Sequence, residues 1–327
     1  MMLQKTISKP VTLSGNGLHT GRYCEATICP ANENTGIVFV RTDLENQPEI
    51  KAIPKNLSSF DRSTTITSDN ISAITIEHFM ASFHLLGIDN LKIMITCAEL
   101  PILDGSAKPI VDALKPLIVN QQAEKSIIKV NQQFAYIDTK SDSWIMVEPA
   151  DDFSAEVNIN FRQPIGKHTV TYNTGDNVEA IASSRTFVFL SELSYLRTHG
   201  LIKGGSIDNA LVFADISLSN EEKSSLEELF SCSGIEVTPN HTLNNTTFRN
   251  ADEPAYHKLL DLLGDLAVLG KPICGKITAY KPGHGANAAF VKMFDEHPAH
   301  TLKNLQQTNN HGTGDRKKIL GKRRLQS

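Results

Sequence analysis

Residues 255 to 269 constrain this chain more than any other stretch. Tyr256, Leu259, Leu260, Leu263, Leu266 and Ala267 recur at helical spacing, with Pro254 suited to the start of a helix and Gly270 and Pro272 to its end. At about 100° per residue, His257, Lys258, Asp261 and Asp265 gather on the opposite side. A helix with one apolar stripe has to bury it against a second layer, so the fold is built around this element.

The other helix-like runs are Thr75 to Leu86, Phe189 to His199 and Asn220 to Phe230, with a further one over Pro109 to Val119 interrupted at Pro116. In the first of these, Ile76, Phe79, Met80 and Phe83 form the apolar face; Thr75 reads as the N-cap and Gly87 as the stop. Strand character marks Leu91 to Ile95, Ile127 to Val130, Trp144 to Val147, Ala155 to Phe161 and, as the last strand, Ile277 to Tyr280. Gly15-Asn16-Gly17, Asn32-Glu33-Asn34 and Asp104-Gly105-Ser106 read as turns. Strands, a helix and a strand follow one another in each half, which predicts an α+β fold. With 327 residues the chain has room for two domains, and the polar run Gln121 to Lys125 is read as their boundary. Ser231 to Asp252, rich in Asn and Thr, reads as a surface insertion. After His297 the periodicity ends, and the rest, with Lys317-Lys318 and Lys322-Arg323-Arg324, reads as a disordered, solvated tail.

A net charge of -4 gives no electrostatic reason for a nucleic-acid partner. Five cysteines, Cys24, Cys29, Cys97, Cys232 and Cys274, are an odd number with no C-x-x-C spacing, which argues against a disulfide framework and for a reducing compartment. No run approaches the roughly 20 apolar residues of a membrane span, and no apolar leader follows Met1. The expected location is the cytoplasm.

Three pieces carry chemistry. His257 and Asp261, four apart on one helix, are neighbours and suit a metal; the same spacing also describes a solvated face with an internal hydrogen bond. Glu77-His78 sits in a first helical turn, where a carboxylate is favoured, and offers a general base beside a metal ligand, although it is also an ordinary dipeptide. His284, in Lys281-Pro282-Gly283-His284, reads as a histidine on a Gly-flanked loop after the last strand, suited to proton transfer or simply exposed.

Together with Gly17-Leu18-His19-Thr20-Gly21, Gly87-Ile88-Asp89-Asn90, Pro101 to Ser106, Ser184-Arg185-Thr186-Phe187, Gly200 to Ser206 and Gly264-Asp265-Leu266, these pieces lie in order over residues 17 to 284. In that order they resemble the UDP-3-O-acyl-N-acetylglucosamine deacetylase family, which carries out the committed step of lipid A synthesis in Gram-negative bacteria. The resemblance implies two α+β domains sandwiching helices between sheets, with the active site at their junction. Residues 1–122 would carry Glu77 and His78; residues 126–295 would carry Thr186, His257, Asp261 and His284 together with an insertion forming an acyl passage; residues 296–327 would be the tail.

The resemblance also implies roles. His78, His257 and Asp261 would hold Zn2+, a site type that accepts Fe2+ as well. Glu77 would be the general base, Thr186 would help stabilise the oxyanion, and His284, oriented by Asp265, would act as general acid or electrostatic stabiliser. Lys258 would add positive charge. Leu190, Leu193, Leu201, Ile202, Gly205 and Ser206 match the acyl passage, and equally suit core packing; Phe161, Asn160 and Lys281 match positions near the uridine diphosphate. Phe187 is added to the substrate set from its motif, and His19 suits a structural role. The substrate would be a UDP-3-O-acyl-N-acetylglucosamine.

Departures are Tyr256 where the family carries a basic residue, Leu85 where it carries a glycine, and a long insertion over Glu221 to Asn250 that resembles the Bacteroidota version. Two other readings stand beside this one: a non-catalytic nucleotide-sugar or protein binder, and a metallopeptidase. The first would normally lose the base or a ligand, and the second has no H-E-x-x-H here.

Overall fold

The computed structural model describes residues 2–59, 62–230, 232–244, 247–297 and 300–303. In the first half, the strands are β1 (Leu3–Ile7), β2 (Val11–Asn16), β3 (Tyr23–Pro30), β4 (Ile37–Arg41), β5 (Glu49–Lys51), β6 (Leu57–Ser59), β7 (Thr65–Ser68) and β8 (Ile71–Ile74). They are followed by α1 (Glu77–Leu86), β9 (Leu91–Ile95), α2 (Lys108–Leu114) and β10 (Ile118–Glu124). The second half holds β11 (Ile127–Val130), β12 (Phe134–Asp138), β13 (Ser143–Glu148), β14 (Phe153–Asn160), β15 (Lys167–Asn173), α3 (Glu179–Ala182), β16 (Phe187–Phe189) and α4 (Leu190–Thr198). It continues with β17 (Leu211–Phe213), α5 (Asn220–Phe230), α6 (Glu253–Ala267), β18 (Ile273–Tyr280), α7 (His284–Glu296) and β19 (His300–Lys303).

The protein is an α+β fold, with helices set against antiparallel and mixed sheets. The first half makes a five-stranded sheet in the order β2-β3-β9-β4-β5, a β6-β7-β8 meander and the antiparallel pair β1-β10. The second makes a seven-stranded sheet, β12-β13-β18-β11-β19, in which β14 runs parallel to β18 and β15 pairs with β14. Among the described residues every strand ladder stays within 3–124 or within 127–303. Along β14 buried and half-buried residues alternate, the period-2 pattern of a strand with one covered face.

The two halves meet through α1 and α6, which pack on each other. Gly264 permits the approach: a Cβ built there would lie 2.2 Å from the carbonyl oxygen of Glu77. A helix-interior glycine costs about 1 kcal/mol in propensity, here offset by backbone contact that a larger residue forbids. Both helices are therefore buried on more than their apolar stripes; His257, Asp261 and Asp265 are covered like Leu259 and Leu263, whereas Tyr256 and Ala267 of the expected stripe are only half-buried.

Several boundaries differ from expectation. The α1 helix starts at Glu77, because Thr75 adopts a left-handed φ of 60° and its hydroxyl donates to Glu99 Oε1 at 3.2 Å instead of capping. Gly87 does end it, at φ 65°. The helix read over 109–119 stops at Leu114; a 3-10 turn carries Pro116, and Ile118 opens β10. The polar run 121–124 belongs to β10; Glu124 is paired with Leu3 of β1, and the Gln122 and Ala123 N–H groups donate to Glu33 Oε1 across an irregularity in the ladder. Gly15 and Asn16 belong to β2, and the turn follows them at 18–20.

The strand Ile273–Tyr280 is not the last element: a helix, α7, begins at His284, and β19 pairs antiparallel with β11 beyond the expected end of order. Gly283 and Gly285 mask the start of α7 in the sequence, but Ala288, Phe290, Val291 and Phe294 give it a fully buried face. The tail after Lys303, including the basic run, lies outside the described residues. The insertion is more than surface: Leu226, Ile235 and Leu243 form a small second core with Leu190, Leu193, Val212 and Ala214.

Candidate metal centre and its cavity

At its N-terminal end α1 carries Glu77 and His78 towards the face of α6 that bears His257 and Asp261. One ligand atom from each of His78, His257 and Asp261 lies within 4.8 Å of the other two, and all three residues are buried. The two imidazole rings stand edge to face, with centroids 5.2 Å apart. The Nδ1 of His257 hydrogen-bonds the Ser184 carbonyl at 3.0 Å, which makes it the protonated nitrogen and leaves Nε2 with its lone pair towards the cluster. Burial, with His257 beside it, pushes His78 down to about 3; burial likewise lowers His257 against the opposing pull of Asp261. Both rings are neutral near pH 7, the form a metal requires.

Burial alone would protonate Asp261, but Lys258 and the neighbouring imidazoles hold it well below the usual carboxylate range. Since His78 and His257 are neutral near pH 7, the Lys258 ammonium, whose Nζ donates to Oδ2 at 2.7 Å, and the cationic His284 do most of this. The other oxygen, Oδ1, is buried without a hydrogen-bond partner. A buried carboxylate oxygen with nothing to accept from is costly, and two neutral imidazole nitrogens beside it complete an N2O donor set suited to zinc. The residues present fit a metal ion.

Around the cluster stands a second ring of groups. Burial lifts the Glu77 carboxyl to about 7, against the lowering effect of His284. The Thr64 backbone N–H donates to Glu77 Oε2 at 2.9 Å. His284, half-buried and the first residue of α7 rather than a loop residue, has Nδ1 3.2 Å from Asp265 Oδ2 and 3.0 Å from Thr64 Oγ1. Thr64 Oγ1 in turn donates to Asp265 Oδ1, and Asn287 Nδ2 donates to Oδ2 at 2.8 Å. Burial opposes protonation of His284, but Asp265, Asp261 and Glu77 outweigh it and raise the ring to about 9. It is an imidazolium near pH 7, with Nε2–H 3.9 Å from Asp261 Oδ2.

These groups open into a cavity of about 140 Å³ that is continuous with solvent. Glu77, His78, Thr186, Phe187, His257, Lys258, Asp261 and His284 line its polar end; Leu193, Ile202, Gly205 and Ser206 line the rest together with Leu18, Leu196 and Val212. Thr186 is fixed there by its N–H to the Gly105 carbonyl and by the Leu211 N–H to its own carbonyl, both 2.8 Å. Arg185, next to it, forms a buried ion pair with Glu253 at 2.8 Å and so ties this strand to the start of α6.

The other expected residues lie outside the lining. Leu190 is buried in the second core, and Leu201 is half-buried, its N–H donating to the Leu196 carbonyl at 2.9 Å. Phe161 packs edge-on against Phe187 at 5.3 Å; Asn160 Nδ2 donates to the Tyr280 hydroxyl at 3.2 Å; and Lys281 pairs with Asp142 at 2.8 Å. Thr64 and Asn287 stand in no sequence motif, and Ser184 stands in one without a role of its own. Thr64 meets Asp265 across 201 positions of chain, and no local pattern signals such a contact.

Fold and site define an α+β protein with a buried two-histidine, one-carboxylate cluster at the head of an apolar cavity. Residues 4–231 and 232–296 match the family model of the UDP-3-O-acyl N-acetylglycosamine deacetylases, LpxC. The chain is 38% identical over 296 residues to the bifunctional enzyme LpxC/FabZ of Porphyromonas gingivalis and 36% identical over 296 to that of Bacteroides thetaiotaomicron. Each match covers 90% of this chain and 64% of the relative. It is 33% identical over 305 residues to the UDP-3-O-acyl-N-acetylglucosamine deacetylase of Chromobacterium violaceum, covering 91% of this chain and 92% of that protein. The chain belongs to the UDP-3-O-acyl-N-acetylglucosamine deacetylase family. It spans only 64% of the length of the bifunctional relatives.

Proposed function

We propose that this protein hydrolyses the N-acetyl group of a UDP-3-O-acyl-N-acetylglucosamine, releasing acetate and a free amine in lipid A synthesis, with Zn2+, or Fe2+ in its place, held by His78, His257 and Asp261. The observation that carries the reading is the buried cluster flanked by a carboxyl at about 7 on one side and an imidazolium at about 9 on the other. A carboxylate to take a proton and a cation to give one are what hydrolysis of an amide needs at neutral pH. When bound, the metal ion supplies Lewis acidity, acidifying water and polarising a carbonyl.

The chain's own residues do the rest. Glu77 accepts the proton of the attacking water. The Thr186 side chain faces the cavity beside the cluster and donates to the carbonyl oxygen as it becomes negative. Asp265 and Thr64 hold His284 through Nδ1, so that Nε2–H faces the site and passes its proton to the departing amine nitrogen. Lys258 keeps Asp261 ionised. The apolar wall, Leu18, Leu193, Leu196, Ile202 and Val212, takes the acyl chain, where each buried CH2 is worth about 0.8 kcal/mol. Leu190 supports that wall from the second core, Leu201 completes the acyl passage, and Phe161, which packs on Phe187, binds the uridine diphosphate with Asn160 and Lys281. We further read residues 1–122 and 126–295 as two domains, the site at their junction, and the protein as cytoplasmic.

The test is release of free amine from the UDP-sugar by purified protein, with and without a chelator, beside Glu77→Ala. Turnover abolished by chelation, restored by zinc and reduced about 10²-fold or more in Glu77→Ala is expected. No turnover by folded, zinc-loaded protein across several acyl lengths overturns the assignment in favour of a binding protein.

A further inference from the structure

Two cysteines that the mechanism does not use face each other in the first-half sheet. Strands β3 and β9 are antiparallel, with Ala26 opposite Ile95. The ladder continues through the Thr96 N–H, which donates to the Glu25 carbonyl at 3.1 Å. Strand β9 ends at Ile95 and the chain bends over 96–98, but the same register, carried one step beyond Glu25 and Thr96, sets Cys97 opposite Cys24. Directly opposed residues of antiparallel strands have Cα atoms about 4.5–5.5 Å apart, inside the roughly 4.4–6.8 Å window of disulfides. Both thiols are unbridged, Cys24 fully buried and Cys97 9% exposed.

We propose that Cys24 and Cys97 are a modification site, where a hydroperoxide closes a cross-strand disulfide that thiol reductants reopen. The thiols donate to carbonyls, Cys24 Sγ to Glu25 at 3.7 Å and Cys97 Sγ to Glu99 at 3.1 Å. The neighbouring Cys24 thiol, with the Glu99 backbone and Arg41 and against the effect of burial, draws the Cys97 thiol below its ordinary range, while Cys97 and burial raise Cys24. The more exposed Cys97 is thus the nucleophile. Its thiolate attacks one peroxide oxygen; the O–O bond breaks, and the second oxygen leaves as hydroxide, which becomes water on protonation. The resulting sulfenic acid is attacked by the Cys24 sulfur. The S–S bond forms, the S–O bond breaks, and the Cys24 proton leaves with the hydroxyl as a second water. The two sulfurs lose two electrons, and the peroxide takes them.

The pair connects to the cavity through Glu99. Cys97 Sγ donates to the Glu99 carbonyl at 3.1 Å. The Glu99 carboxylate accepts from the backbone N–H groups of His19 and Thr20, both at 2.7 Å. Gly17 lies so close that a Cβ would fall 2.4 Å from Glu99 Oε2. Leu18 and His19 line the cavity. Closing the disulfide removes the Sγ–carbonyl bond and restrains the segment that positions this loop.

The experiment treats the full chain with hydrogen peroxide, alkylates remaining thiols under denaturing conditions and maps the peptides by mass. A Cys24–Cys97 cross-linked peptide that forms first, reverts with dithiothreitol and leaves Cys29, Cys232 and Cys274 alkylated is expected. Oxidation of Cys97 to sulfinic acid with Cys24 still alkylated, or faster oxidation of any other cysteine, overturns the site. Amide exchange across residues 17–20 should quicken at least about threefold in the oxidised protein; unchanged exchange overturns the link to the cavity. In Cys24→Ser, Cys97 is expected to proceed to sulfinic acid under the same treatment, and a Cys97 that stays alkylated there overturns its role as nucleophile.

Discussion

At the residue scale, Glu77 shows what this site costs the fold. Burial raises its carboxyl from 4.5 to about 7. The folded state therefore favours the protonated form: that stability is whole below about 4.5 and lost as pH rises through about 7. In metal-free protein Glu77→Gln is expected to raise stability above pH 7 by up to about 3 kcal/mol, read from urea unfolding, while abolishing the proposed turnover. His284 behaves with the same sign at a higher pH. Its pKa is raised from 6.5 to about 9, so its contribution is present below about 6.5 and fades through about 9. The pH–rate profile should rise as Glu77 ionises, a limb that a neighbouring divalent cation moves to lower pH, and fall near about 9. His284→Gln should remove the alkaline fall; a fall that persists unchanged would assign it to another group.

At the element scale, the close approach of α1 and α6 decides whether the site exists. In Gly264→Ala the new methyl would meet the Glu77 carbonyl, so α1 has to shift. A loss of about 1–3 kcal/mol is expected from denaturant unfolding, with weaker zinc binding by competition titration. The sequence made α6 legible through its apolar repeat and its flanking Pro254, Gly270 and Pro272. Periodicity alone left His257 and Asp261 between solvated face and site; what decides is that α1 covers them, a fact of packing. Two glycines blur the start of α7, so the sequence presents His284 as a loop residue where the structure has the first residue of a helix. Motif order placed Thr186 on the cavity wall but not Asn160, Phe161 or Lys281, which the structure leaves on other contacts. Thr64 carries no local signal, since its partners Glu77, Asp265 and His284 come from three different elements.

At the scale of the whole molecule, the cluster joins halves whose strand ladders are separate. A metal bound only by the folded state stabilises it by mass action, about 2.7 kcal/mol at a hundredfold excess over Kd. Chelation is therefore expected to lower the melting temperature by several degrees and zinc to restore it; an unchanged melting curve would mean that the ion is not held by both halves. The insertion has a testable place too. Ile235→Ala, in the second core behind Leu193, should cost about 2–4 kcal/mol locally and weaken discrimination between acyl lengths more than turnover itself.

The split origin of the ligands also sets an order in time. A ribosome finishes the strands and helix that present His78 long before it reaches His257 and Asp261. A nascent chain arrested midway holds His78 without His257 or Asp261, so on the proposed reading it lacks the donor set for zinc. On the same reading, capture of the ion marks the moment at which α6 has docked on α1, and a chain truncated before that point should show no affinity for the metal.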